Sequence, residues 1–286
     1  MPTGIAVDLV NRGQTWAYDS GQADDPERPA LLLLHGWTST AALNWHRCFS
    51  ALSDEYRVVA MDNRGHGRGI RSRSPFRLED CADDAAALVE TLRLGPVTAV
   101  GYSMGGPIAE LLWRRHPETV DGLVLCATAA RFSARLELGR PLGTLGLGAS
   151  MALSLLPENV RRQGMSLASR NWASNNRDVV RWAIEEWERN DPAALIQAGL
   201  ALGRFDSTGW IGEVDVPTAV VVTALDSTVS PRRQWNLARS IPSAVAFPIQ
   251  GDHRVCVEHP WLFLPALQAA CRAAQRHHAP VVEPTA

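Results

Sequence analysis

The sequence predicts an α/β fold: a mostly parallel, eight-stranded sheet flanked by helices, with an all-helical segment inserted late in the chain. Three observations predict it. Short apolar runs alternate with longer helix-patterned stretches, the order that gives a parallel sheet covered by helices. One run, Ala30-Leu31-Leu32-Leu33-Leu34, is apolar without interruption, as suits a strand buried on both faces. The strand pattern then vanishes over residues 131–205 and resumes afterwards.

Taken in order, residues 5–10 and 15–18 flank the turn signal Asn11-Arg12-Gly13 and read as an antiparallel hairpin. A polar loop over 20–29 leads into the strand at 30–34, which ends at His35-Gly36-Trp37. Residues 58–61 and 97–102 are similar strands. Between them, 78–94 carries Cys81, Ala85, Leu88, Val89 and Leu92 at helical spacing. A helix opens at Met104 and a strand follows at 123–126. Strands return at 218–223 and 244–247, with a helix near 232–239 between them and a last helix at 261–272. The Pro- and Ala-rich tail after His278 is expected to fray.

At 286 residues and 31.2 kDa the chain can bury one large core, so a single α/β domain with an insertion is expected: 1–130 and 206–286 as core, 131–205 as a helical cap. A net charge of -2 gives no global pull toward nucleic acid or anionic membrane. All 28 basic side chains are Arg, so no lysine can serve in catalysis. The five cysteines are scattered without CxxC spacing, which suggests neither a disulfide framework nor a zinc site. The N-terminus lacks the basic and apolar regions of a signal peptide, and 142–156 is too short and too rich in Gly and Ser to span a membrane. A cytoplasmic location with reduced thiols is the expectation. The local cluster Arg64, Arg68, Arg71, Arg73 and Arg77 reads as a solvated loop.

A serine hydroxyl is a weak nucleophile, so acyl transfer needs a base for its proton and a pair of donors for the oxyanion. Gly101-Tyr102-Ser103-Met104-Gly105 fits G-x-S-x-G directly after a buried strand and directly before a helix, the context the motif requires. Such a turn lifts the Ser103 hydroxyl above the sheet. It also leaves the Met104 N–H at a helix N-terminus, where partial positive charge favours an anion.

Along nearly its whole length the chain resembles the α/β-hydrolase family of serine hydrolases. Three motifs occur in the family's order: His35-Gly36-Trp37, then Asp62-Asn63-Arg64-Gly65-His66-Gly67, then the glycine-rich turn over 101–106. The resemblance implies that the backbone N–H of Trp37 is a second oxyanion donor and that Asp62 and Arg64 tie a strand end together. Two departures are visible: Gly69 stands where the family often has Ser, and Pro107 follows Gly106. Proline in the first turn of a helix removes only an N–H that would be unpaired anyway.

Acid and base are expected in the order Ser, Asp, His, each just past a strand. Asp226 follows the apolar 218–223 run, whereas Asp206 and Asp215 precede it and Asp121 precedes its own strand. His253, in Gly251-Asp252-His253, lies past the last strand and resembles the family's Gly/His loop with Glu258 and Pro260 downstream. His35, His259, His277 and His278 fit less well. The expected catalytic set is Ser103, Asp226 and His253, with the Trp37 and Met104 amides as oxyanion hole and no metal or organic cofactor.

The cap would sit over Ser103. Its Leu142, Leu145, Met151, Leu155, Met165, Leu167, Trp172, Trp182 and Trp187 suit either an apolar acyl pocket or the cap's own core, and the Gly- and Leu-rich part over 143–156 suits a mobile gate. The leading expectation is hydrolysis of a carboxylic ester of small to medium, hydrophobic substrates, with a small-molecule ester or lactone as partner and a homo-oligomer left open. A lactonase is the next reading. Cofactor-free haloperoxidases and perhydrolases share the His35-Gly36-Trp37 and Trp45 pattern but commonly have Pro where Thr38 stands. Carbon–carbon hydrolases usually carry a Gly-Pro-Gly signature absent here, and Ser103 excludes the Asp-nucleophile epoxide hydrolases and dehalogenases. A non-catalytic ligand receptor is the alternative from a different class.

Overall fold

A computed structural model describes residues 1–21, 28–132, 153, 156, 158–169, 178–242 and 244–275. Among these, eight strands form one sheet: β1 (Ile5–Leu9), β2 (Gly13–Asp19), β3 (Ala30–Leu34), β4 (Arg57–Met61), β5 (Val97–Tyr102), β6 (Val120–Cys126), β7 (Thr218–Thr223) and β8 (Val245–Ile249). Their spatial order is β1-β2-β4-β3-β5-β6-β7-β8. The β1–β2 hairpin and its join to β4 are antiparallel, and every other pairing is parallel.

The order reverses at β3. From β3 the chain crosses to β4 on one side and returns to β5 on the other, so the C-terminal ends of β3 and β5 open onto a crevice with no crossover above it. In parallel sheets such a switch point is where ligands bind.

Alternation along the strands assigns each side chain to one of two cores. Leu32 and Leu34 of β3 and Val220 and Val222 of β7 pack with α3 (Leu78–Thr91) and α4 (Gly105–Arg115) on one face. Leu31 and Leu33 of β3 and Ala219 and Val221 of β7 pack on the other with α1 (Ala41–Trp45), α2 (Phe49–Ser53), α9 (Val255–Glu258) and α10 (Pro260–Ala273). Between β6 and β7 lie α5 (Glu158–Ser169), α6 (Asp178–Glu188) and α7 (Pro192–Arg204), and α8 (Pro231–Ser240) links β7 to β8. No helix among the described residues is long and apolar enough to cross a membrane.

β6 and β8, like β2, extend beyond the apolar runs that signal them. β6 begins at Val120 rather than 123, because Asp121 and Gly122 interrupt the pattern while their backbone still joins the sheet. There Asp121 accepts the Thr98 hydroxyl at 3.2 Å. β8 runs through Pro248 to Ile249; as the last strand it has one unpaired side, where a missing N–H costs nothing.

The arginine cluster is not the solvated loop that its charge suggests. Arg64 is buried and grips Asp84 of α3 with two 2.7 Å hydrogen bonds. Arg68 lies 4.9 Å over the Trp16 ring and pairs with Glu186 of α6. Arg71 is exposed, yet it donates to the carbonyls of Gly67, Gly69 and Arg189. Arg73 and Arg77 are exposed, as the sequence reading expects. Asp62 accepts the N–H groups of Ala41 and Arg68, both at 2.8 Å, which ties the end of β4 to α1.

The two chain segments that flank α5–α7 meet on α4. Arg131 and Asp206 form a β-bridge, and the Ser207 N–H donates to Ala130 O at 2.8 Å. The Ser207 hydroxyl lies 2.6 Å from Glu110 Oε2 and 3.2 Å from Ala130 O. A hydroxyl has one proton to give. If Ser207 gives it to Ala130, the Glu110 contact is a hydrogen bond only when Glu110 is protonated and donates. Burial pushes the Glu110 carboxyl up to about 8, against a smaller lowering by Ser207, and among the described residues its Oε1 has no partner that could stabilise a charge.

Two expected outcomes follow. A carboxyl raised in the folded state keeps its proton while the unfolded chain releases it. Stability therefore falls with rising pH from about 4.3 toward 8, by up to ~1.4 kcal/mol per pH unit. Glu110→Gln, whose amide can donate to Ser207, should gain over the parent protein steadily as urea midpoints are measured from pH 5 to 8; parallel profiles would contradict the protonated assignment. A methyl on Gly105 would overlap the carbonyl oxygen of Leu34, whereas one on Gly164 in α5 meets nothing within 4 Å. Gly105→Ala should thus lose ~1–3 kcal/mol and Gly164→Ala should not, read from the same melts.

Candidate active site

The Ser103 turn follows from glycines on either side of it. Strand β5 runs straight into α4, and a Cβ on Gly101 would overlap the carbonyl of Gly105, so the strand end and the helix start can pack only as bare backbone. Ser103 sits at φ +53°, in the left-handed region that costs an L-residue energy. Surrounding bonds hold it there: its N–H donates to Cys126 O at 2.9 Å, and its carbonyl accepts from Thr128 Oγ1 at 2.8 Å and Gly106 N at 2.9 Å.

The structure brings Ser103, His253 and Asp226 together from three strand ends. His253 Nε2 lies 3.0 Å from Ser103 Oγ, and His253 Nδ1 lies 2.7 Å from Asp226 Oδ2. The carboxylate accepts at Nδ1, so the ring proton belongs there and Nε2 offers its lone pair to the Ser103 hydroxyl. The Asp226 side chain is fully buried while that of His253 is 20% exposed, so of this pair it is the imidazole that solvent can reach.

Burial raises the Asp226 carboxyl, but the hydrogen bond and charge of His253, the Val229 N–H and the Thr223 hydroxyl outweigh it and hold the group below its usual value. Asp226 Oδ1 accepts Thr228 N at 2.8 Å and Val229 N at 2.9 Å. Oδ2 accepts Thr223 Oγ1 at 2.8 Å and Gln234 Nε2 at 3.3 Å in addition to His253. Gln234 is fully buried and also donates to Val229 O at 2.8 Å, bracing the whole loop. Neither Thr223 nor Gln234 stands out in the sequence. A buried polar pair one strand end and one helix turn from an expected acid is the signal that could have found them.

The loop after β3 lies directly against Ser103: a Cβ on Gly36 would be 3.3 Å from Ser103 Cβ. Gly36 N donates to Asn44 Oδ1 at 3.0 Å. The fully buried His35 is bonded at Nδ1 to Gly36 O (2.8 Å) and accepts from Asn63 N at Nε2 (2.9 Å). Burial pulls its pKa down to about 4, so it is a neutral brace between the β3 and β4 loops. Among the described residues, the N–H groups of Trp37 and Met104 have no acceptor, the first on this loop and the second at the start of α4. Tyr102 Oη donates to His253 O at 2.9 Å, and Asn44 Nδ2 lies 3.8 Å from Cys256 Sγ below.

Among the described residues no three His, Cys, Asp or Glu side chains are grouped to hold a metal ion. The other histidines and acids weighed from sequence lie elsewhere: Asp215 accepts the Trp113 indole N–H at 3.0 Å, Asp206 pairs with Arg131, and His259 packs on Trp261. His277 and His278, and the segment 143–156 apart from Leu153 and Leu156, lie outside the described residues. So do Leu142 and Trp172.

Residues 29–142 match a family model described as alpha/beta hydrolase fold. The 3-oxoadipate enol-lactonase 2 of Acinetobacter baylyi is 23% identical, over 88% of this chain and 91% of that protein. The pimeloyl-[acyl-carrier protein] methyl ester esterase of Aeromonas hydrophila is 27% identical, over 84% of this chain and 94% of that one. A thermophilic esterase from Thermogutta terrifontis superposes with a TM-score of 0.74 at 24% identity, covering 96% of this chain and 99% of the other. The matched segment carries the Ser103 turn, and the solved structure shares the sheet around it. On sheet order, the matched segment and structural likeness together, the chain has the α/β-hydrolase fold.

Proposed function

We propose that the chain is a serine hydrolase that cleaves carboxylic esters of small to medium, hydrophobic substrates through an acyl-enzyme. One observation carries the reading: the unbroken relay from the buried Asp226 through His253 to Ser103, with contacts of 2.7 and 3.0 Å, at the switch point of the sheet. The relatives named enol-lactonase and methyl ester esterase support an ester bond as the target.

In this reading His253 Nε2 takes the Ser103 proton as Oγ attacks the substrate carbonyl carbon. Negative charge moves to the carbonyl oxygen, where the N–H groups of Trp37 and Met104 receive it. Asp226 keeps the imidazole in the Nδ1–H form and stabilises it once charged. The tetrahedral adduct collapses, His253 hands its proton to the departing alcohol oxygen, and an acyl group remains on Ser103. Water, deprotonated by the same His253, attacks that acyl group, and the carboxylic acid leaves as Oγ regains the proton.

Residues 1–130 and 206–286 act as the catalytic core in this proposal and 131–205 as a cap. Support comes from α6 and α7, which pack back onto loops at the C-terminal ends of the strands. Gly67 N donates to Asn190 Oδ1 and Asp191 N to Gly65 O, both at 2.9 Å, and Trp182 of α6 packs edge-on against His46 at 5.0 Å. A lactone is the second reading, favoured by the enol-lactonase relative, which aligns along nearly the whole chain.

Ser103→Ala should abolish both ester turnover and labelling by a fluorophosphonate; labelling that persists in the variant would place the nucleophile elsewhere. Asp226→Asn should keep KM and lower kcat by roughly 10³–10⁴, since the ring would no longer be held in the Nδ1–H form. A panel of p-nitrophenyl esters and lactones of graded chain length separates the readings: preference for lactones at equal carbon number would favour the second, and tight binding of one member without turnover of any would indicate a receptor.

A further inference from the structure

Trp37 is 40% exposed, yet its indole is not loose. Nε1 donates to the carbonyl of Leu195 in α7 at 2.8 Å, across 158 residues of chain. One turn along the same face of α7 is Gly199, where a Cβ would lie 2.7 Å from the indole Cζ2 and 3.2 Å from Cε2 and Cη2. The ring therefore rests in a notch that only glycine leaves open, with its single N–H satisfied by the helix backbone.

The helix that offers this notch is itself held at several points. Asp191 caps it through the N–H groups of Ala193 and Ala194 and is joined to Gly65 O through its own N–H. Gln197 Oε1 accepts Phe76 N at 2.7 Å, and Ala198 and Leu202 are buried in the core. The loop on the other side of Trp37 needs such an anchor. Thr38 is a β-branched residue at φ +58°, a conformation that costs energy and persists only when its surroundings impose it. The turn is closed by one long bond, Ser39 N to Gly36 O at 3.3 Å.

We propose that the Trp37 indole, hydrogen-bonded to Leu195 O and seated over Gly199, is the positioning group that aims the Trp37 backbone N–H toward the oxyanion. Helix α7, which sends no group into the reaction, then sets how well the oxyanion is stabilised. This rests on the serine-hydrolase reading above. It adds that one side chain joins the oxyanion loop to the segment between β6 and β7.

The test uses Trp37→Phe, which keeps a ring over Gly199 but removes the N–H, and Gly199→Ala, which pushes the ring out of its seat. Alanine favours the helix, so a loss in the second variant cannot be laid to a weakened α7. With p-nitrophenyl acetate as substrate, each variant should lose about tenfold or more in kcat with KM within about twofold, less than the ~10²–10³ for removing an oxyanion donor outright. Affinity for an aryl trifluoromethyl ketone, which forms a tetrahedral oxyanion adduct on serine, should fall by the same factor as kcat/KM. The double variant should lose little more than the worse single one, because both act through one contact. Unchanged kcat in both variants, or a loss confined to KM, would overturn the proposal. Absence of fluorophosphonate labelling and turnover in the parent protein would instead overturn the reading on which it rests.

Discussion

Between the carbonyl oxygen of Leu34 and the α-carbon of Gly105 there is no room for a methyl group, and the same is true between Gly101 and the backbone of Gly105. Helix α4 can start where it does only because these two positions are bare. That close approach lets β5 turn into α4 within three residues, pushes Ser103 into the left-handed region and aims its hydroxyl up from the sheet edge. The C-terminal ends of β3, β7 and β8 then supply the remaining groups at the same level. Gly36 reaches Ser103 from β3, Asp226 follows β7 by three residues, and His253 follows β8 by four. A bulkier residue at 101 or 105 would separate strand from helix and move the Ser103 hydroxyl away from all of them.

The same backbone packing explains why so much of the architecture was legible. Apolar runs mark β3, β5 and β7 because these central strands are covered on both faces, and the chain order of Ser103, Asp226 and His253 follows from the order of strand ends. What sequence could not supply is contact between distant residues. Gln234 supports Asp226 across eight positions and through a helix turn, and Arg64 is neutralised by Asp84 on a helix that begins fourteen residues later. In each case the pairing depends on how helices lie on the sheet, which local patterning does not encode. Glu110 looks like an ordinary helix acid. It is buried because α4 is covered by the sheet on one side and by the Ala130 and Ser207 segments on the other.

The arginine-rich loop illustrates how composition can mislead. Five arginines within fourteen residues resemble a solvated or anion-binding patch, yet three of them spend their donors on Asp84, Glu186 and backbone carbonyls. Their work is to fasten the loop after β4 to α3 and to α6. Through Gly65 and Gly67 that loop in turn holds the start of α7, and α7 holds the Trp37 indole. A chain of short contacts thus runs from the arginine-rich loop to the Trp37 indole. In the proposed mechanism this is the route by which the segment between β6 and β7 acts on the oxyanion.

In the proposed mechanism an ester's acyl group passes through Ser103. Mixing the protein with excess p-nitrophenyl ester, quenching in acid within milliseconds and mapping the peptides by mass tests it most directly. A burst of p-nitrophenol of about one equivalent per chain is expected when deacylation is the slower step, with the acyl mass on Ser103. Turnover with no acylated peptide when deacylation is slowed by an aromatic acyl group, or an acyl mass on another residue, would contradict it.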